Sequence, residues 1–140
     1  MKDESPTTQY VFAQSLLHAR MMRKVDNRLS LHGISFTEFA ILKHLAEAPE
    51  RTLRRIDLAE GIGISASGVT RILNPMEKIK LVAKEKNDRD ARVSLVKLTD
   101  AGSEIYSDAS ATLAFVSADF LSPLTENQLA KLMKYTEKLI

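Results

Sequence analysis

Ser65, Ser67, Thr70 and Arg71 share one face of a segment whose Val69, Ile72, Leu73 and Met76 recur at helical spacing. Short hydroxyls and a single guanidinium near a helix N-terminus can reach base edges and phosphate oxygens in a major groove without steric conflict. Arg89, Asp90 and Arg92 form a second group, in the charged, turn-prone run Asn87-Asp88-Arg89-Asp90-Ala91-Arg92. A guanidinium at such a tip suits a minor groove, and Asp90 is placed to hold Arg92 in a charge-assisted pair. Arg54 and Arg55 precede both groups and are expected to hold phosphates.

These side chains need elements to aim them. Ile56-Asp57-Leu58-Ala59-Glu60 reads as a first helix, Gly61 and Gly63 as the sharp turn after it, and Ser65 as the N-cap of the second helix. Leu81 to Lys86 and Val93 to Leu98 then alternate as two short strands flanking the charged tip, which makes a β-hairpin wing. Asn74-Pro75 lies within the second helix, where proline removes a backbone donor and presses on the carbonyl of Arg71, so a kink is expected. Lys80 stands at that helix's end, where closure into the wing favours a left-handed residue.

The order and spacing of Leu58-Ala59-Glu60, Ile64-Ser65, Val69-Thr70-Arg71, Met76-Glu77-Lys78, Leu81-Val82, Asp90-x-Arg92 and Leu98-Thr99-x-x-Gly102 resemble the multiple antibiotic resistance regulator (MarR) family. The resemblance implies a winged helix-turn-helix transcriptional regulator that binds double-stranded DNA. In that family the terminal helices interlock into a homodimer, whose two-fold symmetry suits a palindromic operator with half-sites about 10 bp apart. It also implies a repressor released by a small aromatic or amphipathic acid. Members with glycine at the position of Lys80 close that helix without backbone cost.

The flanking sequence supplies long helices. Phe12, Leu16, Leu17, Met21, Met22, Val25 and Leu29 keep a helical period from Gln9 to Leu29. Ser35-x-x-Glu38 and Thr125-x-x-Gln128 are capping boxes, and Thr99 caps a further helix towards Leu121. The expected architecture is mostly α with a small β-hairpin wing, as one domain over 1–140. A winged helix-turn-helix lobe covers about 35–100, with dimerisation helices at about 9–30 and 103–140. Phe12, Leu16, Arg20, Met21, Phe39 and Lys43 fall where the first two helices should meet the lobe and form the expected ligand site, with Arg20 or Lys43 pairing a carboxylate.

Composition bounds the rest. With 44% hydrophobic and 27% charged residues the chain is of globular type, and no run approaches a membrane span. Residues 1–8 lack the apolar stretch of a signal peptide, so a cytoplasmic location is expected. The absence of cysteine excludes disulfides and thiol-based sensing. Net charge is only +2, but Arg51 to Asp100 holds eleven basic against seven acidic residues while the flanks are net acidic, so the excess lies where phosphate contacts are expected. His18, His32 and His44 show no metal-ligand spacing, and no nucleophile elbow or phosphate-binding glycine loop occurs, so neither cofactor, metal nor enzymatic activity is expected. The rival reading is a winged-helix module that grips a protein through the same hairpin and helices, without specific DNA binding.

Overall fold

Hydroxyl caps set the helix starts. Ser5, Ser35, Ser65, Thr99 and Thr125 each accept a backbone N–H from the first helical turn, and Ser35 and Thr125 complete full boxes with Glu38 and Gln128. In the computed structural model, which describes residues 3–140, these starts open α1 (Pro6–Leu29), α2 (Phe36–Glu47), α4 (Ala66–Lys78), α5 (Asp100–Phe120) and α6 (Glu126–Glu137). Helix α1 begins ahead of Gln9 because Pro6 fits the first helical position behind the Ser5 cap. The remaining helix, α3 (Arg55–Ile62), follows directly on strand β1 (Thr52–Arg54). Strands β2 (Val82–Lys86) and β3 (Ser94–Leu98) form the expected wing hairpin, in register from Val82 opposite Leu98 to Lys86 opposite Ser94.

The sheet has a third strand that the sequence does not announce. β1 lies antiparallel to β3, pairing Thr52 with Lys97 and Arg54 with Leu95, so the order is β1-β3-β2 and the wing is anchored at its base. Thr99 adds a second anchor there. Its hydroxyl lies 2.6 Å from the Lys80 carbonyl and 2.9 Å from that of Leu81, and it accepts the Gly102 N–H at 3.0 Å. Gly102 is buried against the same strand end. A Cβ at that position would collide with the Leu81 carbonyl oxygen and stand 2.7 Å from Leu98 Cδ1.

The turn between α3 and α4 corrects one expectation. Gly63 is left-handed (φ 74°), and the Ile64 N–H reaches back to the Ala59 carbonyl at 3.0 Å, closing α3 in a Schellman motif. Gly61, by contrast, is helical and contributes no turn. Its missing side chain admits α2, because a Cβ there would stand 2.9 Å from His44 Cδ2. Lys80 closes α4 in the same motif as Gly63, with φ 62° and a 3.0 Å bond from the Leu81 N–H to the Met76 carbonyl. Helix α4 continues through Pro75 as one element, the proline being exposed.

The core joins the C-terminal part of α1 to the lobe. Leu29, Ile41, Leu42, Leu45, Leu58, Val69, Leu73, Met76, Val96 and Leu98 are fully buried, and no polar or charged residue is buried among those described. Phe39 packs on Tyr106 of α5 with ring centroids 5.3 Å apart. Beyond the core the long helices are bare. Every residue from 6 to 20 is exposed, and α6 buries none of its residues although it carries Leu132, Met133 and Tyr135. Among the described residues no helix is long and apolar enough to cross a membrane.

Candidate nucleic-acid interface

The buried face of α4, formed by Val69, Leu73 and Met76, packs into the lobe and turns Ser65, Ser67 and Arg71 to solvent. The Ser65 hydroxyl accepts the Gly68 N–H at 3.1 Å and lies 3.2 Å from the Ser67 hydroxyl, so the first turn of α4 presents two linked hydroxyls. Arg71 enters no ion pair among the described residues. Thr70 is half-buried at the edge of this face.

The wing tip is organised by its own side chains. Asp90 accepts the Arg92 backbone N–H at 3.0 Å and the guanidinium at 3.1 and 3.3 Å. These bonds hold the Asp90 carboxyl below its usual range, the guanidinium contributing most. Arg92 nevertheless remains 91% exposed, so its direction is fixed while its outer surface stays open. Asn87 accepts the Arg89 N–H at 2.9 Å, and the Arg89 side chain is exposed and unpaired among the described residues. Arg92 and Ser94 of the wing face Ala66 of α4, Arg54 at the end of β1 and Arg55 of α3 across one groove. The groove therefore joins the start of α4 to the wing and is lined by three arginines.

The two arginines at the head of α3 differ. Arg54 is exposed and forks onto Asp57 at 2.8 and 2.9 Å, which lowers the Asp57 carboxyl and raises the guanidinium. Arg55, expected beside it as a phosphate contact, is folded inward with only 14% of its side chain exposed. It donates to Ser94 Oγ at 2.9 Å, Thr70 Oγ1 at 3.0 Å and Glu77 Oε1 at 3.1 Å. The carboxylate of Glu77 on α4 draws it in, and Lys84 of β2 lies 3.7 Å from the other Glu77 oxygen. Sequence spacing conceals this cluster because its members lie 15 to 39 residues from Arg55.

The expected ligand site is not assembled. Phe12, Leu16 and Arg20 lie on the first part of α1, where every residue from 6 to 20 is exposed. Phe39 is buried in the core, and Lys43 is exposed and paired with Glu47 at 2.9 Å, which raises its ammonium. Met21 does face a cavity. It lines a cleft of about 210 Å³ between α1 and α5 with Met22, Val25, Phe36, Leu113, Ser117, Phe120 and Leu121, and no charged side chain joins the lining. Neither Arg20 nor Lys43 lines this cleft.

The histidines have structural partners or none. His32 Nε2 lies 2.7 Å from Thr112 Oγ1, and His44 Nδ1 donates to the Ala40 carbonyl at 2.8 Å. No group of three or more His, Asp or Glu side chains among the described residues could hold a metal.

A helix-turn-helix followed by an anchored two-stranded wing, mounted on long helices at both chain ends, defines the winged helix-turn-helix class. Residues 32–93 match the model of the MarR family. Solved structures agree on the fold. AbsC, a MarR family transcriptional regulator from Streptomyces coelicolor, superposes with TM-score 0.87 at 22% identity, covering 97% of this chain and 93% of its own. A cysteine-to-serine variant of MarR from E. coli complexed with operator DNA gives 0.87 at 19%, covering 98% and 99%. A second S. coelicolor MarR family regulator, in complex with DNA, gives 0.88 at 23%, covering 97% and 87%.

Proposed function

We propose that this chain is a sequence-specific, double-stranded-DNA-binding transcription regulator that works as a homodimer. The observation that carries the reading is the groove between the start of α4 and the wing, lined by Arg54, Arg55 and the oriented Arg92 and flanked by the exposed Ser65, Ser67 and Arg71. The hydroxyls and Arg71 read base edges in the major groove, and Arg89 and Arg92 enter the adjacent minor groove. Arg54 serves a phosphate by sharing or leaving Asp57. That two solved neighbours are complexes with DNA supports the assignment.

The apolar surface of residues 6–20 and of α6 is covered by a second copy, giving two wings and a palindromic operator. We further propose that the protein represses by occupying its operator, and that an apolar or amphipathic effector releases it from the cleft around Met21. Selection from a randomised duplex pool, followed by titration of salt against the enriched duplex, tests the central reading. DNA binding requires an enriched palindrome and a steep negative slope of log affinity on log salt, set by the phosphates neutralised. A protein-binding module instead enriches nothing and gives a shallow slope.

A further inference from the structure

We infer that Arg55 is a positioning residue that fixes the wing against the recognition helix, so that the two grooves of DNA are read as a pair. The inference rests on the DNA-binding reading for its effect on affinity, but the device itself is visible in the free protein. One guanidinium, rooted at the first residue of α3, donates to Thr70 and Glu77 on α4 and to Ser94 at the start of β3. Ser94 is two residues from Arg92, and Thr70 adjoins Arg71. The distance between the wing cation and the base-reading face is thus set through a single side chain.

The chemistry favours a rigid link. A planar guanidinium offers donors in a fixed fork, so three acceptors on two elements define its plane and are defined by it. Its position, 14% exposed beside a Glu77 side chain only 20% exposed, shields the ion pair from full solvent screening. Lys84 of β2 also approaches Glu77, at 3.7 Å, so both wing strands meet the Arg55–Glu77 pair, β2 through Lys84 and β3 through Ser94. The bond from Arg55 occupies a lone pair of Thr70 Oγ1 and leaves the hydroxyl proton for an acceptor outside the lobe.

The test compares wild type with Arg55→Gln, Arg55→Lys and Ser94→Ala, using the duplex enriched by wild type and one unrelated duplex. For Arg55→Gln we expect a loss of about 10- to 100-fold on the enriched duplex, unchanged affinity for the unrelated one, and an unchanged salt slope. Arg55→Lys retains the charge but cannot span the three acceptors, so the same loss of preference is expected. Amide exchange across residues 86–94 of the free protein rises in both variants. A salt slope smaller by about one unit would show that Arg55 itself contacts phosphate and would overturn the inference, as would an unchanged preference. If Arg55→Gln fails to fold, the exposed Ser94→Ala substitution decides: faster wing exchange with reduced preference supports the link, and wild-type behaviour refutes it. If the pool yields no enriched duplex, the DNA reading falls, while unaltered wing exchange in Arg55→Lys would separately sink the link.

Discussion

Single side chains here divide into those that are free to act and those that hold others still. Arg71 is exposed and enters no ion pair among the described residues, and its replacement by alanine should cost about 1–3 kcal/mol on the enriched duplex if it contacts a base edge. Equal affinity of Arg71→Ala and wild type in fluorescence anisotropy would remove it from the interface. Asp90 holds rather than reads. Its carboxyl is lowered by Arg92, so the order it lends the tip is complete above the ordinary carboxylate range and is lost as pH falls through the lowered value. The Arg92 Nε–H should therefore stay protected from exchange at pH 5 and above, and lose protection well below about pH 4. In Asp90→Asn that protection should be weak throughout, a difference readable by nitrogen-15 NMR.

At the scale of elements, the joint between α4, the wing and α5 concentrates the backbone constraints. Lys80 occupies a glycine-type position at φ 62°, so Lys80→Gly should raise stability by about 1 kcal/mol or less, the relief of left-handed strain being partly offset by the greater freedom of glycine when unfolded. Gly102→Ala pushes a methyl into the Leu81 carbonyl and Leu98 and should cost about 1–3 kcal/mol. Urea denaturation of the two variants measures both signs. The sequence made these elements legible wherever their determinants are local: the caps at Ser35, Ser65, Thr99 and Thr125 and the left-handed Lys80 all depend on near neighbours. β1 was illegible because three residues carry no period and their partners lie on β3. Gly61 was misread because the reason for glycine there is His44, on another helix. The inward turn of Arg55 and the dispersal of the expected ligand residues were hidden likewise, since each is decided by what packs alongside in space.

The whole molecule is unbalanced as a single copy. α1, about 36 Å long, leaves its first fifteen residues uncovered, and α6 buries nothing, whereas an isolated twelve-residue helix is marginal in water. Light scattering should give twice the mass of one chain for wild type and a shift towards one chain for Leu132→Asp combined with Leu16→Asp; single-chain mass in wild type would exclude the dimer. Such a dimer's stability should also rise with protein concentration. Finally, α4 keeps two faces apart: Val69, Leu73 and Met76 belong to the core, while Ser67 and Arg71 are exposed. Exchanges at those outward positions should alter folding by only about 0.5 kcal/mol either way, so under the proposed DNA-binding function the scaffold could be re-addressed to new operators by mutation without first being restabilised. Thr70, held by Arg55, lacks that freedom, so a change of target is easiest through its neighbours.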